Sequence, residues 1–365
     1  MPLKRISPSR FVGLQRCRLR EVWTASRTPA LLPASARARL GTVVHRLLER
    51  VGKDAVPAEQ VTTELWNEEL QKIESEMEAS WLDRSLVPLH LTVPNAEVHK
   101  LRALDRARRM AAELPLKRDG TGGTKGLGFE VWVQSSDGLV GGFVDCALRD
   151  DCLVLRDYKS GAIYEKDDGN ESNVRAEYVI QIQMYAALYN DTFGLWPERL
   201  EIVPVRGEEA KVQVDKLRCS QLVQDAKALL AEVNATVAAL HDRGASDLST
   251  LAKPSAETCS PCGFRPQCQE YLAANADMQE RWPLDIVGTV SRIQTLGNGS
   301  VALALTDRRG TVHSVRGLTP GQRHPALTLI EPGSHVGVFN LQRGYPAKDL
   351  REGPYTTVYR VPKCS

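Results

Sequence analysis

The sequence predicts an α/β fold with helices flanking a mixed sheet, followed by a small all-β region. Three observations predict it. Apolar residues recur at helical spacing through much of the first 114 positions, and the pattern turns to short strand-like runs between 128 and 158. After about residue 281, turn-separated strand-like runs fill the chain.

The first element begins at the helix-start signal Ser7-Pro8-Ser9 and runs over 7–17 as a short amphipathic helix. A second helix over 36–51 carries Leu40, Val43, Val44, Leu47, Leu48 and Val51 on one stripe. Helices over 58–80 and 95–114 have charged outer faces. A glycine-rich break at 120–128 has the composition of a phosphate loop but neither its spacing nor a strand-to-helix context, so no ATP motor is expected. Strands follow over 128–134, over 139–148 after a Ser-Ser-Asp-Gly turn, and over 152–158. A helix over 175–189, a strand over 200–206 and a long helix over 218–242 complete an α/β order. Beyond 281, runs at 284–294, 300–306, 311–316, 335–342 and 355–361 have the spacing of a small β-barrel of the OB-like kind. The expected domains are therefore 1–280 and 281–365.

Composition narrows the function classes. The 365 residues carry a net charge of +2, so overall charge neither demands nor excludes a polyanionic partner. Its distribution says more. Lys4, Arg5, Arg10, Arg16, Arg18, Arg20, Arg27, Arg37, Arg39, Arg46 and Arg50 face only Glu21 and Glu49 in the first 50 positions. A second basic run is Lys100, Arg102, Arg106, Arg108, Arg109, Lys117 and Arg118. Such stripes either neutralise phosphates or form solvated helix faces. No apolar stretch is long enough to span a bilayer and no signal-peptide core opens the chain, so a cytoplasmic protein without a membrane partner is expected.

The eight cysteines are unevenly placed. Cys146, Cys152, Cys219 and Cys364 are scattered, and free thiols are their expected state. Cys259-Ser-Pro-Cys262-Gly-Phe-Arg-Pro-Gln-Cys268 instead gathers three thiols in a Pro- and Gly-shaped loop suited to binding a metal. Three thiolates leave a four-ligand site one short, and Cys17 is the candidate for the fourth.

The strands carry the strongest catalytic signal. Gly141-Gly-Phe-Val-Asp145 lies on one, and Asp157-Tyr-Lys159 ends the next. Residues two apart on a strand share a face, so Asp157 and Lys159 project together, and pairing as a hairpin would bring Asp145 beside them. Converging carboxylates need a cation between them, and hard oxygen ligands suit Mg²⁺ or Mn²⁺. A neighbouring lysine can position or help deprotonate an attacking water, or stabilise a crowded phosphate. His45 is a further candidate ligand, with Gly41 one turn before it and Glu49 one turn after. Glu49 either orients the imidazole or is a surface charge. Gln181 and Tyr185, four apart on one helix face, could bind phosphate or sugar, and Tyr185 could stack on a base.

Taken together these residues closely resemble the RecB-like nuclease family of the PD-(D/E)XK class. The matching pieces, in order, are Ser7-Pro-Ser-Arg up to Cys17, Gly41-Thr-x-x-His45, Glu130, Gly141 to Asp145, Asp157-Tyr-Lys-Ser-Gly161, Gln181-x-x-x-Tyr185 and Cys259-x-x-Cys262-x5-Cys268. The resemblance covers roughly 7–270, leaving the β-rich tail outside. It implies a restriction-endonuclease-like core, a mixed sheet flanked by helices, to which the small β-barrel read from strand spacing is appended. It implies that His45, Asp145, Asp157 and the backbone carbonyl of Tyr158 hold Mg²⁺ or Mn²⁺, that Lys159 acts on the water, and that Glu130 supports. The cysteine pattern resembles the iron–sulfur sub-class of AddB and the CRISPR-adaptation nucleases. A [4Fe–4S] cluster on Cys17, Cys259, Cys262 and Cys268 would close a loop of about 240 residues, a large entropic constraint on the unfolded chain. From ligand type alone, zinc is the alternative.

The expected activity is metal-assisted hydrolysis of DNA phosphodiesters, as an exonuclease acting on single strands or DNA ends in repair, recombination or defence. No helicase motif is present, so any unwinding partner is separate. Phe339, Arg343 and Tyr345 would be available on the barrel for single-strand binding, unless the barrel is purely structural. The competing reading is a non-catalytic nucleic-acid-binding module that keeps the fold and the cluster.

Overall fold

The computed structural model describes residues 2–113, 126–149, 151–167, 170–242, 248–275, 282–344 and 349–361. Lys117, Arg118, positions 120–125 of the glycine-rich break, the expected boundary at 280 and 281, Tyr345 and Cys364 lie outside the described residues. Two compact units, each discontinuous in sequence, make up the chain. The first comprises Met1–Arg16, Arg39–Ile73 and Val93–Ser246; the second comprises Cys17–Ala38, Glu74–Thr92 and Asp247–Ser365.

Helices dominate the first part. α1 (Pro8–Arg16) starts where the Ser7 carbonyl accepts the N–H groups of Arg10 and Phe11, and it buries Phe11 and Leu14. Cys17, in extended conformation, separates it from α2 (Arg18–Ala25). α3 (Ala36–Lys53), α4 (Thr63–Ala79), the short α5 (Leu89–Thr92) and α6 (Ala96–Glu113) follow. The apolar stripe of α3 is buried as its spacing requires, with Val43, Leu47 and Val51 fully enclosed.

Next come β1 (Gly128–Gln134), β2 (Gly141–Arg149), β3 (Leu153–Lys159), the hairpin of β4 (Tyr164–Asp167) and β5 (Asn170–Val174), then α7 (Ala176–Phe193), β6 (Arg199–Pro204), β7 (Ala210–Val212) and α8 (Lys216–Asp242). The main sheet of the first unit has the order β1-β2-β3-β6-β7. It is antiparallel except for β3 and β6, which run parallel over Val154–Lys159 and Arg199–Pro204. A parallel pair needs a crossover, and α7 is its helix. Gly194 ends α7 in the left-handed conformation at φ 73°, which suits a residue without a side chain. α7 buries Ile182, Met184 and Ala186 through Tyr189, yet also Gln181 and Tyr185. Polar groups hidden on such a helix need partners, and Gln181 finds its own at the end of β3.

In the second unit, α9 (Ala256–Cys259) and α10 (Gln269–Asn275) flank the cysteine loop. β8 (Ile286–Thr295), β9 (Val301–Thr306), β10 (Val312–Leu318), β11 (His335–Phe339), β12 (Gln342–Arg343), β13 (Leu350–Arg351) and β14 (Thr357–Arg360) form a seven-stranded mixed sheet of order β12-β13-β10-β9-β8-β11-β14. The sheet is curled as a half-barrel around Ile286, Leu303, Leu305, Val315, Val336 and Val338.

The expectation that Phe339 is exposed is corrected. Phe339 is fully buried, because β11 is an inner strand between β8 and β14, and its ring packs over Gly337 and against Tyr359. The run expected to continue to 342 stops there, since Asn340 turns the chain at φ 57°. Arg343, on edge strand β12, is exposed. No helix among the described residues is long and apolar enough to cross a membrane.

Candidate active site

β2 and β3 pair from Cys146 and Arg156 outward to Arg149 and Leu153, which places Asp145 just past the last paired position. There its carboxylate turns to the neighbouring strand, and Oδ2 accepts the Tyr158 N–H at 2.6 Å. Asp157 is 1 % exposed. Its Oδ1 accepts from Gln181 Nε2 at 2.9 Å, while Gln181 Oε1 accepts from Lys159 Nζ at 3.0 Å. Lys159 Nζ also lies 2.6 Å from Asp157 Oδ2, yet that oxygen has no hydrogen bond of good geometry, so the contact is an ion pair with an unfilled lone pair. Gln181 thus ties one carboxylate and the lysine together. Alternation along β3 and the burial of Gln181 on α7 produce this arrangement.

α3 brings His45 to the same place. A Cβ at Gly41 would sit 2.7 Å from Ser160 Oγ, so glycine lets this helix approach the end of β3 closely. The room that Gly41 leaves one turn before His45 is therefore taken by Ser160. Burial lowers the pKa of His45, the Lys159 charge lowers it further, and Asp157 and Glu49 oppose both. A neutral imidazole, the form that ligates metals, is favoured. Burial raises the Asp145 carboxyl to about 6 against the Tyr158 N–H and Lys159. Asp157 is likewise raised to about 6 by burial, against the attraction of Lys159. Two desolvated carboxylates held partly by one ammonium form a site short of positive charge.

The other expected residues surround this cluster. Glu130 has a positive φ of 50° and interrupts the regular pairing of β1 with β2. Burial raises its pKa, and so does the charge of Glu49. Glu49 itself accepts from Lys53 Nζ at 2.5 Å. Tyr185 is buried one turn beyond Gln181, and its hydroxyl is pushed well up by burial and by the charges of Asp157 and Asp145. Tyr178 was not foreseen. Its ring lies 4.7 Å from Lys159 Nζ, one turn before Gln181 on the same face of α7, and that spacing is the signal that could have found it.

A family model described as the PD-(D/E)XK nuclease superfamily matches residues 5–269. The chain belongs to the PD-(D/E)XK nuclease superfamily. Membership points to a nuclease, and nucleases of this superfamily generally use divalent metal ions. The match takes in every residue of the cluster above and leaves the half-barrel outside. No curated protein matches the sequence.

In this superfamily member the cysteine loop lies wholly in the second unit, as does Cys17. Cys17, Cys259, Cys262 and Cys268 carry no disulfide and line one recess, together with Leu19, Trp23 and other residues. Burial raises the thiols of Cys259 and Cys262, and pushes Cys268 up to about 12. Among the described residues, no group of three or more His, Cys, Asp or Glu side chains stands ready to hold a metal ion. At the carboxylates the reason is visible: Asp145 is turned to a backbone N–H and Asp157 to Gln181 and Lys159.

Proposed function

We propose that this chain is a metal-dependent deoxyribonuclease that hydrolyses phosphodiester bonds in single-stranded DNA or at DNA ends. The observation that carries the reading is the buried Asp157–Gln181–Lys159 relay beside Asp145, two carboxylates with too little compensating charge. The donor set fits a hard divalent cation: Asp157 Oδ2 is a buried carboxylate oxygen whose close partner is the Lys159 ammonium, and burial favours the neutral imidazole of His45. His45, Asp145, Asp157 and the Tyr158 carbonyl would hold Mg²⁺ or Mn²⁺, which supplies Lewis-acid polarisation of the phosphate and a more acidic water.

The chain's own residues do the rest. Lys159 is placed by Gln181 and the Tyr178 ring so that its ammonium can donate to the attacking water and to a phosphoryl oxygen. Gln181 fixes the spacing between that ammonium and Asp157. One water oxygen bonds to phosphorus, one ester P–O bond breaks, and the departing oxygen takes up a proton. The test is cleavage of single- and double-stranded DNA by purified protein with and without Mn²⁺. Lys159→Ala should slow cleavage by about 10²–10⁴-fold. A wild type that cuts neither substrate would leave the non-catalytic binding module as the better reading.

We further propose that the four-cysteine recess takes a [4Fe–4S] cluster. A single zinc would require its sulfurs roughly 3.8 Å apart, about a tetrahedral site with bonds of 2.3 Å. What supports the cluster reading is that all four thiols line one recess, in the order and spacing of the iron–sulfur sub-class that the sequence resembles. Anaerobically purified protein should be coloured and contain iron. Colourless protein carrying zinc would exclude the cluster.

A further inference from the structure

In the same unit as the carboxylates, a groove runs past the first turn of α1 and the β1–β2 hairpin. Arg5, Ser7, Arg10, Trp132, Phe143 and Tyr185 are among its walls. Part of its floor is bare backbone at Gly142, where a Cβ would come within 3.3 Å of the Tyr185 hydroxyl. Trp132 and Phe143 are cross-strand partners, with ring centroids 4.8 Å apart at an interplanar angle of 66°. The guanidinium of Arg5 lies 4.9 Å from the Trp132 centroid. Phe143 is 50 % exposed, while Gly142, Val144 and Cys146, alternating with it on β2, are buried.

Position gives these groups a use. Phe143 and Asp145 are two apart on β2, about 7 Å along the strand. That is of the order of one nucleotide step in an extended single strand. At the other wall Tyr185 stands one helical turn from Gln181, which holds Asp157 and Lys159. The groove therefore adjoins the carboxylates through Tyr185, whose hydroxyl feels the charges of Asp157 and Asp145, and it offers an aromatic face for a base and the guanidinium of Arg5, whose Nε donates to the Gly138 carbonyl.

We propose that this groove binds one unpaired nucleotide next to the scissile phosphate, stacking its base on Phe143 and setting its phosphate against Arg5 and Arg10. The inference rests on the nuclease reading for its place beside the cut, but binding can be measured without cleavage. A base within a duplex keeps its faces against its neighbours, so the groove selects single strands and frayed ends.

The test uses the full chain in EDTA with a fluorescent oligothymidylate and a duplex of the same length. Phe143→Ala should weaken single-strand binding about tenfold, and change duplex binding by less than about twofold. Phe143→Tyr should bind as wild type does, while Phe143→Leu, which keeps apolar volume but loses the π-face, should behave as the Ala variant. An abasic site walked along the oligonucleotide should lower wild-type affinity at one position and leave Phe143→Ala indifferent there. Unchanged single-strand binding by Phe143→Ala, an equal loss on duplex, or a wild type that binds no oligonucleotide would each overturn the proposal. If the stacking effect stands but Mn²⁺ never brings cleavage, the groove is upheld and the nuclease reading falls.

Discussion

Asp157→Asn is the most informative single change, because a charge can be removed there with little change of shape. Burial raises the Asp157 carboxyl from 3.8 to about 6, so the folded, metal-free protein holds this proton more tightly than the unfolded chain. The sign follows directly. The stability linked to this group is fully present below pH 3.8 and is lost as pH rises through 6. A shift of about 2 units corresponds to roughly 3 kcal/mol at pH 8, where the wild type must keep a desolvated carboxylate. Asparagine resembles the neutral form and keeps an oxygen for Gln181 Nε2. In EDTA at pH 8 the variant should therefore be on the order of 3 kcal/mol more stable to urea, and about half that at pH 5. Mn²⁺ should then stabilise the wild type and not the variant, while cleavage is lost. A variant less stable than wild type at pH 8, or an advantage that does not shrink toward pH 5, would refute the claim that Asp157 is held against its own desolvation.

Gly41→Ala should cost less than about 1 kcal/mol, because helix propensity offsets the contact with the rotatable Ser160 hydroxyl, whereas Gly41→Val should cost about 1–3 kcal/mol. Both should lower activity by displacing His45, as read from the Mn²⁺-dependent rate and from denaturant midpoints. Cys17→Ala should lose iron and visible absorption after anaerobic purification and melt at lower temperature; an equally coloured and stable variant would show that Cys17 is not a ligand. Arg265→Met removes a guanidinium only 2 % exposed from a fully buried Asp285, and should cost about 3–5 kcal/mol by chemical denaturation.

Periodicity made the main helices and the site legible. The stripe of α3 located His45 with Gly41 one turn away, period-two alternation located Asp157 and Lys159, and the interval of four located Gln181 and Tyr185. All rest on patterns within one element. What escaped depends on pairing between distant segments. Phe339 had the look of an available aromatic, and only the placement of β11 between β8 and β14 hides it. The basic run from Lys100 also changed meaning: Arg106 donates to the Gly207 carbonyl, Arg108 to that of Val61, while Lys100 and Arg109 pair with Glu97 and Asp105. An arginine in a sequence does not disclose whether a phosphate or a carbonyl will meet it.

Arg265 makes the same point at the cysteines. Read along the sequence it is a spacer between Cys262 and Cys268. In the fold its Nη1 donates to the carbonyls of Cys259 at 3.0 Å and Ser260 at 2.6 Å, and lies 3.4 Å from that of Cys262. Its other edge donates to Asp285, which also accepts from the Tyr271 hydroxyl and the Asn340 N–H. A loop that directs several carbonyls inward needs one multiple donor, and the guanidinium is the side chain with enough N–H groups in a rigid plane. The loop is thereby shaped by hydrogen bonds to one guanidinium. Burial pushes the thiols of Cys259, Cys262 and Cys268 upward, which favours their protonated forms. On the proposed cluster reading, the ligating thiols must give up their protons on binding, so iron retained by the purified protein should fall as pH is lowered.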